Sequence, residues 1–326
     1  MLEVSTGSRL HFGLLELAVG EPMRFGGLGL MLDQPGWVLR FTKAADLPDT
    51  GPIMEETISA DIAARIDQVR ERLRQQTGRE ADARIEVLQT LPMHSGLGAG
   101  TQLAAAAAAG LLLFSRLTAE PTMDQLVHIS GRGKRSGIGL YGFLHGGLIL
   151  DDGHSQEGER SVSATSLNLT RDWRVVLITP DEIDVVTGGY EASLIGRLGQ
   201  APNSNRQRMR ELAKRSLELA SVADGFHAFT TALQEYVDAA GLLFAASQGG
   251  MYNGELVSHA VRLANHTGLR AVGQSSWGPT VFGFAENQAA AEQISAELTK
   301  LRRNERWQIR ICTPARQGAS WRWIKE

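Results

Sequence analysis

Cysteine occurs once in this chain, at Cys312. A disulfide framework within the chain is therefore excluded, and the usage fits a reducing compartment. With no cysteine near it, Cys312 reads as a small buried side chain. Basic charge is not in excess either: 33 Lys and Arg face 36 Asp and Glu, for a formal net charge of −3. That balance gives no cationic field, so nucleic acid is not expected as a partner. Long apolar runs are also lacking. The longest, Leu103–Phe114, is mostly alanine and too short to span a bilayer. The opening MLEVSTGSRLHF carries neither the basic nor the apolar region of a signal peptide. There is no zinc-type Cys/His spacing, no internal repeat and no low-complexity tract. These absences lead to the expectation of a soluble, cytoplasmic, globular protein without a membrane partner. Its 326 residues fit one large or two medium domains.

What the chain does have is clustered glycine, above all in LPMHSGLGAGT, Leu91–Thr101. Before it, Ala83, Ile85 and Val87 alternate with Arg84 and Glu86, the pattern of a half-buried strand. After it, Gln102–Phe114 is a run of strong helix formers with one glycine. A strand, a glycine-rich turn and a helix N-terminus together make an anion cradle. Gly96, Gly98 and Gly100 let the backbone come close to a ligand, and the first N–H groups of the helix point at it. Thr101 adds a hydroxyl at the helix start.

In chain order, Leu2–Leu10 reads as a strand, and His11–Leu17 continues it as strand or loop. Arg24–Leu30, RFGGLGL, reads as a second glycine-rich turn before an apolar strand, and Gly36–Lys43 as a third strand. Asp46–Pro52 is a loop. Between Glu56 and Gln76, Ile62, Ile66, Val69 and Leu73 recur at helical spacing, with Gly78 as a stop. Met123–Ser130 is a short helix. The first half of Gly131–Gly153 is expected to be a mobile or ligand-facing loop, and its second half, Gly147–Leu150, a strand. Ser155–Thr170 is a hairpin plus linker, and Asp172–Pro180 a strand, so domains are expected at 1–171 and 172–326. Helices at about 203–219, 225–246 and 254–267 precede a strand–turn–strand–helix–strand tail. That tail suggests part of a ferredoxin-like sandwich.

Four stretches resemble the small-molecule kinase superfamily named after galactokinase, homoserine kinase, mevalonate kinase and phosphomevalonate kinase (GHMP). They are SRLHFGLLEL, LPMHSGLGAGTQLA, SGIGLYGFLHGG and GQSSWGPTVFGF, in the superfamily's order. The resemblance implies an α+β fold of two domains: an N-terminal α/β domain with a left-handed βαβ unit, and a ferredoxin-like C-terminal domain. Two departures argue against a kinase. Where mevalonate kinases carry an acid, this chain has Gly139, which can do no acid–base work. The loop's usual serine pair is Ala99-Gly100. The wording RLHFGLLEL, RFGGLGL, GLGAGTQ, GRGKRSGIG and SSWGPTV is similar to one branch, the β-ribofuranosylaminobenzene 5′-phosphate synthases. That branch condenses phosphoribosyl pyrophosphate with 4-aminobenzoate or 4-hydroxybenzoate, releasing carbon dioxide and pyrophosphate, in methanopterin biosynthesis.

The resemblance also implies a magnesium ion, a homodimer and a set of site residues. Arg9, His11, Glu16 and Arg24 would face the substrate with Gly26 and Gly27, Arg24 and Glu16 serving catalysis. Arginine forks would clamp phosphate or carboxylate. His94, Ser95, Gly96, Gly98, Gly100 and Thr101 would hold phosphate, and Glu16 and Thr101 the metal. Arg132, Lys134 and Arg135 are either a lid over pyrophosphate or a solvated charge run. Ser275, Ser276 and Gly278 would support the phosphate loop, and Trp277 would stack on the aromatic acid or be buried between domains. The rival readings are an ATP-dependent kinase of a small alcohol and a ligand-binding relative without chemistry.

Overall fold

The computed structural model describes residues 1–16, 25–43, 59–133, 136–154, 164–169, 172–181, 203–302 and 305–325. Its first half contains β1 (Leu2–Glu16), β2 (Phe25–Thr42), α1 (Ala60–Thr77), β3 (Arg84–Gln89), α2 (Ala99–Phe114), α3 (Met123–Ser130), α4 (Ile138–His145), β4 (Leu148–His154) and β5 (Ala164–Leu167). The second half runs β6 (Arg174–Pro180), α5 (Asn203–Leu219), α6 (Phe226–Gln248), α7 (Gly254–His266), β7 (Arg270–Gln274), β8 (Val281–Ala285), α8 (Gln288–Leu301), β9 (Trp307–Cys312) and β10 (Ser320–Trp323).

The first sheet has six strands in the order β10-β1-β2-β4-β5, with β3 also on β2, and every described pairing is antiparallel. β1 covers one edge of β2, so β3 and β4 share the other: β3 pairs with Leu39–Thr42 and β4 with Gly27–Leu30. The second sheet has the order β7-β8-β6-β9. Renumbered from one, that is 2-3-1-4, the strand order of a ferredoxin-like sandwich. Its two faces are both covered, which is why VVLI in β6 is a continuous apolar run. Val175 and Leu177 join the main core, while Val176 and Ile178 pack under α7 and α8. The main core is continuous between the halves, since Phe12 of β1 meets Phe282 at 5.0 Å and Phe284 at 6.2 Å, both of β8.

Several segments differ from their sequence reading. Arg24–Leu30 is not a turn before a separate strand, because Phe25–Thr42 is one long strand. Its glycines serve close packing: a Cβ on Gly29 would lie 2.6 Å from Ile138 Cγ2 and from the Leu10 carbonyl. Residues 138–145, expected within a loop, form α4, whose glycines let it press on the sheet; a Cβ on Gly142 would lie 2.5 Å from Met31 Cγ. The chain also does not stay in its second unit after residue 172. β10 returns to pair with β1, where Glu3 accepts from both Arg40 of β2 and Arg322 of β10.

Helix α2 lies at the centre of the first half. Ala104–Ala109 are all buried, and the small side chains allow helix and sheet to approach closely. Polar groups fix its axial position. Thr6 Oγ1 donates to Gln102 Oε1 at 2.7 Å, Gln102 Nε2 donates to the Gly139 carbonyl at 2.8 Å, and Trp37 Nε1 donates to the Ala99 carbonyl at 3.0 Å. Among the described residues, no helix is long and apolar enough to cross a membrane. At Gly110 the ring of Phe41, itself fully buried, fills the place a Cβ would take. Gly110→Ala, despite better helix propensity, is therefore expected to destabilise the protein by about 1–3 kcal/mol through overpacking. A urea melt would measure it.

Candidate active site

The glycine loop between β3 and α2 is held from two sides. From β1, the Arg9 N–H donates to the Leu97 carbonyl at 2.9 Å. From the turn between β7 and β8, Ser275 Oγ accepts the His11 N–H at 3.1 Å and donates to the Gly96 carbonyl at 2.8 Å. The Thr280 N–H reaches the Ser95 carbonyl, and the Ser276 N–H the His11 carbonyl. Gly96 must be glycine here. Its φ is 81°, and a Cβ would lie 2.5 Å from the Ser275 carbonyl oxygen. Gly98, with φ 74°, caps α2, whose first N–H groups have no acceptor within the helix.

A cleft of about 490 Å³ opens over this loop, within the usual range for small-molecule sites. Arg9, Arg65, Arg132, His11 and His94 line it, and its described lining residues include no carboxylate. A Cβ on Gly98 would lie 3.1 Å from Arg9 Nε; one on Gly100 would lie 3.1 Å from Arg65 Nη1 and 3.6 Å from Arg132 Nη2. The positive ends of three side chains thus accompany the helix N-terminus, and all of them favour an anion. His11 is buried, and burial first, then the charge of Arg9, holds its imidazole well below the ordinary value of 6.5. It is neutral at physiological pH.

The opposite lining is apolar and aromatic. Trp277 and Phe244 meet edge to face at 4.7 Å and 74°, with Leu14 against them. Tyr252 borders them, and burial pushes its phenol up to about 12, so it stays a hydrogen-bond donor. An amide network holds this wall. Gln274 Oε1 accepts the Asn253 N–H at 2.7 Å and its Nε2 donates to the Ser276 carbonyl, while Asn253 Nδ2 donates to the Trp277 carbonyl at 3.0 Å.

Of the expected residues, the structure gathers Arg9, His11, His94, Ser95, Gly96, Gly98, Gly100, Thr101, Arg132, Ser276, Trp277 and Gly278 around one cleft. Two of the expected serines are used internally. Ser95 Oγ donates to the Pro92 carbonyl at 2.7 Å, and Ser275 bridges backbones without lining the cleft. Gly26 and Gly27 do not line it either. They are strand residues opposite Leu15 and Leu14, and Gly27 backs the His11 ring, whose Cε1 is 3.3 Å from where its Cβ would be. Arg24, Lys134 and Arg135 lie outside the described residues, as does the side chain of Glu16, whose backbone pairs with Phe25. Trp277 forms part of the aromatic wall.

Sequence reasoning missed Arg65, the amide network, Phe244, Tyr252 and Asp151. The buried Asp151 accepts the Gly137 N–H at 2.7 Å and the Gly153 N–H at 3.0 Å, fixing the backbone beside Ser136. Arg65 is one of several arginines on α1, and nothing in the local pattern sets it apart. At Gly139, a Cβ would lie 2.8 Å from Thr101 Cγ2, so threonine occupies the space into which a kinase-type acid would project.

Ser275→Ala removes the bridge between two backbone groups and is expected to cost about 2–6 kcal/mol, the sum for two orphaned polar groups. Denaturant titration would read this. The neutral burial of His11 has a pH signature. The unfolded chain takes up a proton at this residue below about pH 6.5, where the folded chain does not. Stability from this group is therefore complete above that pH and declines as pH falls below it. In His11→Gln the corresponding stretch of the Tm-versus-pH curve is expected to flatten; an unaltered slope would contradict the assignment.

Comparison with known proteins places this geometry. Residues 64–147 match the model of the GHMP kinases N terminal domain. The chain is 30% identical over 307 residues to the beta-ribofuranosylphenol 5′-phosphate synthase of Archaeoglobus fulgidus, covering 90% of this chain and 91% of that protein. It is 27% identical to the protein of the same name from Methanothermobacter thermautotrophicus, covering 88% and 89%. Among solved structures, homoserine kinase from Cytophaga hutchinsonii superposes with a TM-score of 0.66 at 16% identity, covering 98% of this chain and 96% of that one. Mevalonate diphosphate decarboxylase from Enterococcus faecalis gives 0.65 at 16% identity, covering 99% of each. At such identities the structures show the fold alone. The sequence relationship is of another order: the chain belongs to the beta-ribofuranosylphenol 5′-phosphate synthase family and carries the GHMP kinase fold.

Proposed function

We propose that this chain makes a C-riboside, joining phosphoribosyl pyrophosphate to a para-substituted benzoate with release of carbon dioxide and pyrophosphate. The observation that carries this reading is a single cleft that pairs a cationic, carboxylate-free described lining with an aromatic wall. The cationic part suits a polyanion, and the wall suits a planar ring. In the reaction, the ring carbon bearing the carboxylate forms a bond to C1 of the ribose. The bond from C1 to the pyrophosphate oxygen breaks, and the electron pair leaves with pyrophosphate. The ring–carboxylate bond then breaks, its electrons restore the aromatic ring, and carbon dioxide departs. Protons balance without a base acting at the acceptor, which agrees with a described lining that offers no carboxylate.

The roles follow from position. The glycine loop, Arg9 and Arg132 bind the phosphates and stabilise charge developing on the leaving group. Trp277 and Phe244 hold the ring, and an apolar surround withholds water from the benzoate carboxylate, which favours its loss. Ser276, Gly278 and the neutral His11 border the place where the two substrates meet. Arg24 and Glu16 remain proposed substrate-facing residues on family resemblance. For magnesium, the described lining offers hydroxyl oxygens, Thr101 Oγ1 first, and no carboxylate cage. That donor set fits an ion held chiefly by pyrophosphate oxygens and water. When bound, it shares the charge of the leaving pyrophosphate.

The relatives' name specifies a ribofuranosylphenol product, which 4-hydroxybenzoate would yield and 4-aminobenzoate would not. We therefore propose 4-hydroxybenzoate as the preferred acceptor, with the reaction serving methanopterin biosynthesis as the family resemblance implies. The test is release of labelled carbon dioxide from each carboxyl-labelled benzoate with magnesium and phosphoribosyl pyrophosphate. Release is expected to require phosphoribosyl pyrophosphate and to fail when ATP replaces it. No release from either benzoate would overturn the proposal.

A further inference from the structure

Arg65 projects from α1 into the cleft, and no sequence motif points to it. Its guanidinium is engaged on one side only in a way that leaves direction to the other. Nε donates to Asp61 Oδ1 at 3.0 Å, one helical turn back, while Nη1 lies 3.1 Å from the place a Cβ would take on Gly100. Arg132 Nη2 approaches the same place at 3.6 Å. Two guanidinium groups therefore converge on the second residue of α2, where the helix N-terminus adds its own positive end. An ordinary surface pair about one turn apart would not have this placement: Arg65 is 22% exposed, while Arg74, paired with Glu71 on the same helix, is 52% exposed and does not line the cleft.

We infer that Arg65 is a pyrophosphate-binding residue of the cleft and that Asp61 is its positioning residue. The inference rests on the phosphoribosyl-transfer reading and assigns a place within it. The pyrophosphate group lies at Gly100 between Arg65 and Arg132, and Arg9, beside Gly98, faces the part of the substrate nearer β1. Asp61 holds the guanidinium by Nε, so both terminal nitrogens face the anion in a fork that lysine cannot reproduce. Asp61 also lies 3.8 Å from His94 Nε2, so the same carboxylate borders the loop residue that stands at φ 59°. One acidic side chain thereby relates α1 to an arginine and a histidine of the cleft without itself lining it.

Calorimetric titration with inorganic pyrophosphate tests this apart from turnover. The wild-type chain is expected to bind, and Arg65→Ala to bind about 10–100-fold more weakly, the equivalent of a lost charge-assisted contact. Arg65→Lys should keep the charge and recover only part of the affinity, and it guards against a folding defect in the alanine variant. Asp61→Ala should weaken binding several-fold, whereas Asp61→Asn, whose Oδ1 still accepts from Nε, should restore most of it. Thermal melts should be unchanged throughout, and Arg74→Ala should bind as wild type does. In turnover, Arg65→Ala should raise KM for the phosphoribosyl donor more than it lowers kcat. Wild-type affinity in Arg65→Ala would overturn the inference and leave the reaction intact. Tighter binding in Asp61→Ala would overturn the positioning role, and no binding by the wild-type chain would overturn the pyrophosphate site and the inference with it.

Discussion

The cleft exists because one serine hydroxyl stands between two backbones. Ser275 Oγ accepts from the His11 N–H and donates to the Gly96 carbonyl, so three chain segments far apart in sequence meet at a single atom. A hydroxyl is suited to this because it donates and accepts at once. Around that atom no side chain could be tolerated on Gly96, whose backbone lies against the carbonyls of Ser275 and Gly278. The glycine loop has no ladder of its own. Its shape is imposed by β1 on one side and by the β7–β8 turn on the other. The same turn carries Trp277, so the loop and the aromatic wall are set relative to each other by a few short hydrogen bonds.

Charge is distributed against the average of the chain. A net charge of −3 describes the surface as a whole, yet the described lining of the cleft has arginine and histidine and no acid. Local arrangement, not net charge, decides what binds. The relation to the kinase fold is equally local. In a scaffold shared with homoserine kinase, the space at Gly139 is taken by the Thr101 methyl. The shared fold leaves the chemistry of the site free to differ.

Much of this was legible in the sequence. The strand–loop–helix unit around Leu91–Thr101 announced itself through the alternation at Ala83–Val87 and the run of helix formers after the glycines, and α1 through Ile62, Ile66, Val69 and Leu73 with Gly78 as its stop. The ferredoxin-like order of the second sheet followed the expected tail. Glycine caused the errors. In Gly26–Gly29 and in α4 it was read as a sign of turn or loop, whereas there it relieves contact with Ile138, Leu10 and Met31. Whether a glycine bends the chain or admits a neighbour depends on what lies across the core, which local pattern does not contain. β10 is only Ser320–Trp323, too short to show a period. In the site, motif residues were found and tertiary ones were not. Gln274 acquires its role from Asn253 and Gln248, and Asp151 from the backbone of Gly137.

The return of β10 to the first sheet orders events in time. A ribosome releases the amino-terminal half first, but β1 then presents a bare edge whose partner is encoded near residue 320. The glycine loop waits likewise for Ser275 and Thr280. The nascent first half can form its alanine-rich helix and most of its sheet, yet it lacks the hydrogen bonds that hold its glycine loop in shape. The shape of the loop is therefore complete only once the segment carrying Ser275 and Thr280 has followed, and the sheet only once β10 has joined β1.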